Sequence, residues 1–420
     1  MPLPVRPLPV LQNWDCRGCS DCCRTYHVRV SEAERKVIEA QNWKDDPAIQ
    51  GIEPIVYDRR IGGLRLNHGT DGVCVFLGPD NRCRIHAKFG SAAKPLACRL
   101  YPFMLIPAGD HWRVGLRYAC PATVADTGRP IPEHLDDLRE YARIQESDLG
   151  RPREGEPPPP LQAGQVTTWP DLFRFTAAVS GLLSAAAPIE RKLRTVLAFV
   201  ALMRKSQFEK VTGHRLGEFL EVVSQAILED VPESPESIAR PGWVGRSLFR
   251  QVAAVFTRKD LGLGHGNLVE KGALGRMLAA WRFAVGRGDV PQVHGFIPPG
   301  SRFEAAERPA GAIPATIESL LTRYYRMKVE SLQFCGRANF SLSVWDGIES
   351  LILTFPIIMW LSRVLAASGE TRESTLEKAL KIVDDNFGFN PLLGTFKQRT
   401  IIGLIRQKDE LPRLVAWYGR

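Results

Sequence analysis

Cysteine is almost missing from most of this 420-residue chain: beyond Cys120 only Cys335 occurs. The chain also lacks a Lys/Arg block. Its formal net charge is +9, yet the bases are scattered and no helix-turn-helix or RNA-recognition signature accompanies them. A nucleic-acid tract is not indicated, and a basic surface kept soluble by its charge accounts for the excess. Long apolar runs are missing too. The longest uncharged one, Leu351 to Leu361, is bracketed by Glu349 and Arg363 and contains Pro356. It falls short of the roughly 20 residues that span a bilayer, so it reads as a buried helix kinked or started at Pro356. The first residues, Met1 to Pro9, have no charged segment followed by an apolar core. They do not read as a secretory signal, and a cytoplasmic location is expected.

Most catalytic signatures are absent as well. There is no Walker loop, nucleophile elbow or His-Glu-x-x-His zinc helix. The Cys-x3-Cys-x2-Cys run of radical S-adenosylmethionine enzymes fails: Cys19 to Cys23 gives the first interval, but Tyr26 occupies the next required position. Gly262-Leu263-Gly264-His265-Gly266-Asn267 has the letters of a methyltransferase glycine turn. No alternating strand–helix pattern surrounds it, so it reads as a loop between helices. No repeat of fixed period is visible.

What remains is concentrated chemistry. Eight of the nine cysteines lie between Cys16 and Cys120: Cys16, Cys19, Cys22, Cys23, Cys74, Cys83, Cys98 and Cys120. Such crowding signals a metal or iron–sulfur centre, a disulfide framework or thiol redox chemistry. Disulfide frameworks belong to small secreted domains, whereas a chain of this length buries a large core without them. Adjacent Cys22 and Cys23 pair with each other only under strain. Thiol redox alone needs one Cys-x-x-Cys pair. Metal binding is therefore the reading that uses the whole set.

Two kinds of centre fit. Zinc takes four thiolate or imidazole ligands, often from two Cys-x2-4-Cys knuckles. A 4Fe–4S cluster takes four thiolates, often three in Cys-x2-Cys-x2-Cys and a distant fourth before proline. Cys16, Cys19 and Cys22 form such a run, and Cys120-Pro121 offers the fourth. Cys23 directly after Cys22 departs from the ferredoxin pattern. Either the two face different centres, or one ligates and the other packs. Eight thiolates satisfy two four-thiolate sites, or one cluster plus structural cysteines.

Trp14, Phe76, Phe89, Tyr101 and Phe103 are candidates to keep water from a centre. Arg17, Arg24, Arg82, Arg84, Lys94 and Arg99 are candidates to offset thiolate charge. Taken singly, each is better explained as ordinary core or surface. His86 has ligand-like spacing after Cys83, but with so many thiols nearby it reads as a supporting or core histidine, and His27, His68 and His111 rank below it. Cys335 reads as a buried, inert thiol.

Residues 157–160 are four consecutive prolines, which neither helix interior nor central strand accommodates. They suggest a Pro-rich linker over residues 151–165. It would join a cysteine-cluster metal-binding domain (1–150) to a helical domain (166–420). In the first part, Ser31-Glu32-Ala33-Glu34 is a capping box opening a short helix. Strands are expected at Val73 to Leu77 and Trp112 to Tyr118, and a helix after Ile131. Beyond the prolines the pattern predicts helices over 171–183, 189–205, 216–228, 272–285, 314–332, 345–367, 374–383 and 395–405. The expected fold class is mainly α: a small irregular α+β cysteine-rich domain followed by a larger all-α domain.

The ordered set Cys16-x2-Cys19-x2-Cys22-Cys23, Cys74-Val75-Phe76-Leu77, Cys83-Arg84-Ile85-His86 and Lys94 to Phe103 resembles the cysteine-cluster (CxxCxxCC) family of zinc- or iron-chelating domains. In layout, with Cys120-Pro121 and a long helical C-terminal part, the chain is most similar to its flagellin lysine-N-methylase branch. Arg323-Tyr324-Tyr325-Arg326 and the stretch from Phe334 to Asp346 add to that likeness. The resemblance implies metal binding through the eight N-terminal cysteines. For the branch, it implies S-adenosylmethionine-dependent methyl transfer to a protein lysine, hence a protein substrate or partner. The other reading is a non-catalytic zinc- or iron-binding protein whose helical part engages another protein.

Overall fold

The computed structural model describes residues 3–6, 12–59, 61–149, 156–208, 211–257, 272–292 and 295–420. The glycine-rich stretch Gly262–Asn267 lies outside them. The chain is mainly helical, with 17 α-helices among the described residues and a few short strands confined to the N-terminal third.

That third contains β1 (Val5–Arg6), β2 (Asn13–Trp14), α1 (Asp21–Thr25), α2 (Glu32–Glu39), β3 (Ile55–Asp58) and β4 (Gly63–Leu66). Then come α3 (Arg84–Phe89), α4 (Leu96–Leu100), β5 (Phe103–Pro107), β6 (Trp112–Leu116), α5 (Pro121–Ala125), β7 (Arg129–Pro130) and α6 (Leu135–Leu149). β5 and β6 form an antiparallel hairpin, Phe103 opposite Leu116, and β1 joins β6 in parallel. β3 pairs with β4, and β2 with β7, both antiparallel.

The expected capping box is present. Ser31 Oγ accepts from the Glu34 N–H, and Glu34 Oε2 accepts from the Ser31 N–H at 2.7 Å. Glu34 Oε1 also accepts from the Leu96 N–H at 2.6 Å, so it fastens the start of α4, the helix of Cys98. Ser31→Ala should cost about 1 kcal/mol. Glu34→Ala should cost more, about 1–3 kcal/mol, because two backbone N–H groups lose a charged acceptor. Urea denaturation of the pair checks the order.

The expected strand over Val73 to Leu77 does not form. Its backbone is used in turns: the Cys74 N–H bonds Cys23 O, the Val75 N–H bonds Asn67 O and the Leu77 N–H bonds Cys74 O. Only isolated bridges remain, His68 with Cys74 and Leu77 with Cys83. Turns serve this segment better than a ladder because they bring Cys74 and Cys83 back toward Cys23.

The C-terminal part contains α7 (Trp169–Ser184), α8 (Ile189–Lys205), α9 (Gly213–Asp230), α10 (Trp243–Phe256), α11 (Gly272–Val285) and α12 (Phe303–Ala306). It continues with α13 (Ala315–Glu330), α14 (Val344–Leu365), α15 (Arg372–Asn386), α16 (Phe396–Gln407) and α17 (Glu410–Tyr418). α10 and α17 were not legible in the sequence pattern. α14 is the central helix: every residue except Asp346 and Arg363 is buried. A helix apolar on all sides belongs in a core. Its 344–368 segment is long and apolar enough to cross a bilayer, but 83% of its most apolar window is covered by the rest of the protein. The helix begins at Ser343, whose Oγ accepts from the Asp346 N–H, and continues through Pro356 rather than starting there.

Two hydrophobic cores result. A small one gathers Val30, Ile38, Trp43, Ile49, Ile55, Leu66, Phe76 and Ile85 beneath the cysteines. The large one runs from Phe103, Leu105, Val114 and Leu116 of the hairpin through Leu138 of α6 into the helices up to Tyr418. The proline run is packed against this body. Pro160 O accepts from the Val344 N–H at 2.9 Å, Glu156 O accepts from the Trp169 indole at 2.9 Å, and the Glu156 carboxylate pairs with Arg337 at 2.8 Å.

Candidate metal centre

The local chain geometry explains how eight thiols meet. Gly18 and Ser20 both adopt left-handed backbone conformations, with φ of 66° and 60°, and reverse the chain between Cys16 and Cys22. Cys22 and Cys23 then sit in α1, a single short helix. Cys83 is the residue capping the start of α3, Cys98 lies inside α4, and Cys120 caps α5 with Pro121 at its first position. Proline is favoured there because its missing N–H has no helical partner to lose. The arm carrying Cys16 is pinned by β2 on β7, and Arg129 grips Asp15 through Nε and Nη2. Gly128, at φ 110°, lies so close to Asp15 that a side chain there has no room.

All eight N-terminal cysteines line two adjoining cavities. The smaller, ≈ 240 Å³, is walled by Cys16, Cys19, Cys22, Cys98 and Cys120. The larger, ≈ 360 Å³, is walled by Cys22, Cys23, Cys74, Cys83 and Cys98. Cys22 and Cys98 therefore face both, as do Lys94 and Tyr101. Cys335 is elsewhere, buried in the helical body.

Sequence reasoning about the surroundings is partly met. Trp14, Tyr101 and Phe103 wall the smaller cavity, and Phe76 and Tyr101 the larger. Phe89 faces away, 42% exposed against Trp43. Of the bases, Arg17, Lys94 and Arg99 reach the smaller cavity. Arg24 is instead bonded to Ser20 and Asn81, while Arg82 and Arg84 line neither cavity. His86 lies on the smaller cavity. His27 and His68, ranked low on sequence, stack with ring centroids 4.0 Å apart on the wall of the larger one. The turn pairing His68 with Cys74 puts them there, and no local motif announces it.

Burial pushes Cys74 up to about 11 and raises Cys19 and Cys98. Cys22 rises chiefly because the Cys23 thiol lies beside it, and burial adds to this. Lys94 opposes the rise at both Cys22 and Cys98, as a cation between two thiolate walls should. A bound cation must displace the thiol protons, since the thiolate is the ligand.

The helical body contributes residues that no sequence motif marks. One face of α15 holds three parts of the cysteine site. Lys381 pairs with Asp21 of α1 at 3.0 Å. Asp385 accepts from the Tyr26 hydroxyl at 2.6 Å and from Arg117 at 2.7 Å. Asp384 accepts from the Ala119 N–H at 2.9 Å, next to Cys120. Asp384 is fully buried and forms an ion pair with Lys328 of α13 at 2.5 Å. Burial lowers the Lys328 ammonium and Asp384 opposes that shift. Arg117 lies over the rings of Tyr26, Tyr101 and Phe389, which stitches the larger cavity to the segment after α15.

Among the described residues, no three Cys, His, Asp or Glu side chains converge on one point as ligands. A tetrahedral zinc with 2.3 Å bonds places its sulfurs about 3.8 Å apart. The Cys22 and Cys23 sulfurs, at 4.0 Å, come near that. The other thiols stand around the cavity walls. Eight soft donors and a lysine facing two small cavities suit a thiophilic metal or an iron–sulfur group.

Residues 15–121 match a family model, CxxCxxCC, described as "Putative zinc- or iron-chelating domain". This N-terminal segment is a CxxCxxCC domain. The match runs from the residue before Cys16 to the residue after Cys120, so it takes in every cysteine on the two cavities. Its chemistry is metal binding. No curated protein and no solved structure gives a significant match to the chain.

Proposed function

We propose that the CxxCxxCC domain holds a 4Fe–4S cluster in its smaller cavity, with Cys16, Cys19, Cys22 and Cys120 as ligands. The observation that carries this reading is that these four thiols, a Cys-x2-Cys-x2-Cys run and a distant Cys-Pro, line the same ≈ 240 Å³ cavity. Thiols spread around a cavity match a multinuclear cluster better than one tetrahedral ion. Such a cluster supplies electron transfer or a covalent cross-link between chain segments. Cys23, Cys74, Cys83 and Cys98 remain on the larger cavity as a second four-thiolate set. Trp14, Tyr101 and Phe103 limit water at the cluster, and Lys94 and Arg99 offset its negative charge.

The finer part of the proposal is that the protein is a protein-lysine N-methylase using S-adenosylmethionine, with the helical body binding the protein substrate. Its support is the likeness of layout to the flagellin lysine-N-methylase branch. The competing reading is a metal-binding protein without catalysis. Anaerobic purification with iron, sulfide and zinc analysis and a visible spectrum tests the cluster. A brown preparation with about four irons and four sulfides per chain is expected. A colourless preparation with stoichiometric zinc and no iron would refute it. Titration of the metal-replete protein with S-adenosylmethionine tests the finer part, and no calorimetric heat favours the non-catalytic reading.

A further inference from the structure

Helix α11 carries two apolar faces, and among the described residues only one is packed against the rest of the protein. Ala279 and Phe283 are buried and fix it to the body, with Phe283 packed on Phe303 and Trp360. Leu274, Met277, Leu278, Trp281 and Val285 are 82%, 68%, 51%, 61% and 42% exposed. At 3.6 residues per turn these five fall within one arc of about 100°, opposite the buried pair. Scattered exposed apolar residues are ordinary, but five on one helix face with a tryptophan in the middle form a contiguous surface.

The charge around that face has one sign. Arg276, Arg282 and Arg287 are exposed, and residues 272–288 contain no Asp or Glu. The acidic groups that follow are Asp289, bridged to Arg302 through the backbone, and Glu304. Glu304 is paired with Arg302 at 3.3 Å and accepts from the Gly288 N–H at 2.9 Å. The buried Arg250 against the α11 C-terminus bonds Phe283 O and Ala284 O and pairs with Glu307. Arg282 at the edge of the arc and Arg287 just past the end of the helix thus keep positive charge beside the apolar face, while Arg276 lies on the opposite side.

We propose that α11 is a peripheral docking helix that seats its outer face in the headgroup region of an anionic lipid bilayer. An apolar arc with a central tryptophan, bordered by Arg282 and Arg287 and free of carboxylates, is the pattern of a helix lying in a membrane interface. The arginine stems reach along the apolar surface while their guanidinium groups meet lipid phosphates. Oriented so, the helix anchors the protein from the side of α10 and α12, on an element that holds none of the cysteines.

The test uses the full-length protein and sedimentation with vesicles of phosphatidylcholine alone or mixed with phosphatidylglycerol. Binding is expected to the mixed vesicles, to weaken with salt and to be lost on pure phosphatidylcholine. Leu278→Asp with Trp281→Asp should lower binding at least tenfold with an unchanged melting curve, since both sites are exposed. Arg282→Gln with Arg287→Gln, which leaves the apolar face intact, should lower it about 25-fold, at roughly fivefold per base. The proposal is overturned if wild-type protein stays in the supernatant with the anionic vesicles, or if both double variants bind as it does. It is equally overturned if wild-type protein shows no vesicle binding and forms a dimer in sedimentation velocity that the aspartate variant abolishes. The occupant would then be a second copy of the chain.

Discussion

Lys328→Met and Asp384→Leu should each destabilise the protein by about 3–5 kcal/mol, while the double variant should recover most of that loss. Both side chains are buried, at 1% and 0% exposure, and 2.5 Å apart. Removing one partner leaves the other charge without compensation in a medium that solvates it poorly. Removing both exchanges a desolvated ion pair for apolar volume, which costs little. The two single variants still differ. Lys328→Met leaves Asp384 accepting from the Ala119 N–H, whereas Asp384→Leu orphans that N–H and leaves Lys328 with only neutral acceptors, Gln333 Oε1 at 2.6 Å and Leu116 O at 3.4 Å. Ala119 adjoins Cys120. The double variant should therefore regain its urea midpoint yet keep a defect in metal retention against a chelator, and Lys328→Met alone should not show that defect beyond its loss of stability. Denaturation curves paired with metal-release rates separate the two effects. Equal retention in the double variant and wild type would mean that Asp384 acts on the fold alone, and that α15 has no specific hold on the Cys120 wall.

The second large effect is expected at Cys22 and Cys98. Each faces both cavities, so Cys22→Ser or Cys98→Ser should remove most bound metal and unfold the cysteine-rich lobe. The small core beneath these thiols has few large side chains. Thiolate–metal bonds can supply folding free energy on the order of 10 kcal/mol in such a domain. Cys16→Ser and Cys19→Ser, at exposed positions on the smaller cavity, should lower its metal content and spare the other set. Cys335→Ser, buried far from both cavities, should leave metal content unchanged. Elemental analysis of the five variants, with far-ultraviolet circular dichroism before and after chelator, checks the series. Uniform metal loss across all five would mean that the split between ligand and core cysteines is wrong.

The metal-binding chemistry and the local elements were legible in the amino-acid order alone. Thiols crowded between Cys16 and Cys120 declare a metal site because few other structures use so many soft ligands in so short a stretch. Helical periodicity located most of the helices beyond the prolines, including the wholly apolar α14, whose composition leaves it nowhere but the core. The capping box at Ser31 and Glu34 could be read directly, since it is a bond between neighbours in the chain. Tertiary structure decided what depends on distant pairs. Which cysteines share a cavity depends on turns at Asn67 to Arg82 that bring Cys74 and Cys83 to Cys23, and no strand forms at Val73 to Leu77, where the flanking turns suggested one. The hold of Lys381, Asp384 and Asp385 on residues more than 250 positions away was invisible, because Asp384-Asp385-Asn386 reads as the polar end of a helix. The proline run reads as a stiff linker from the sequence, yet Pro160 O bonds the Val344 N–H and neighbouring Glu156 bonds Trp169 and Arg337. A segment without N–H donors still offers acceptors, and only the fold determines what meets them.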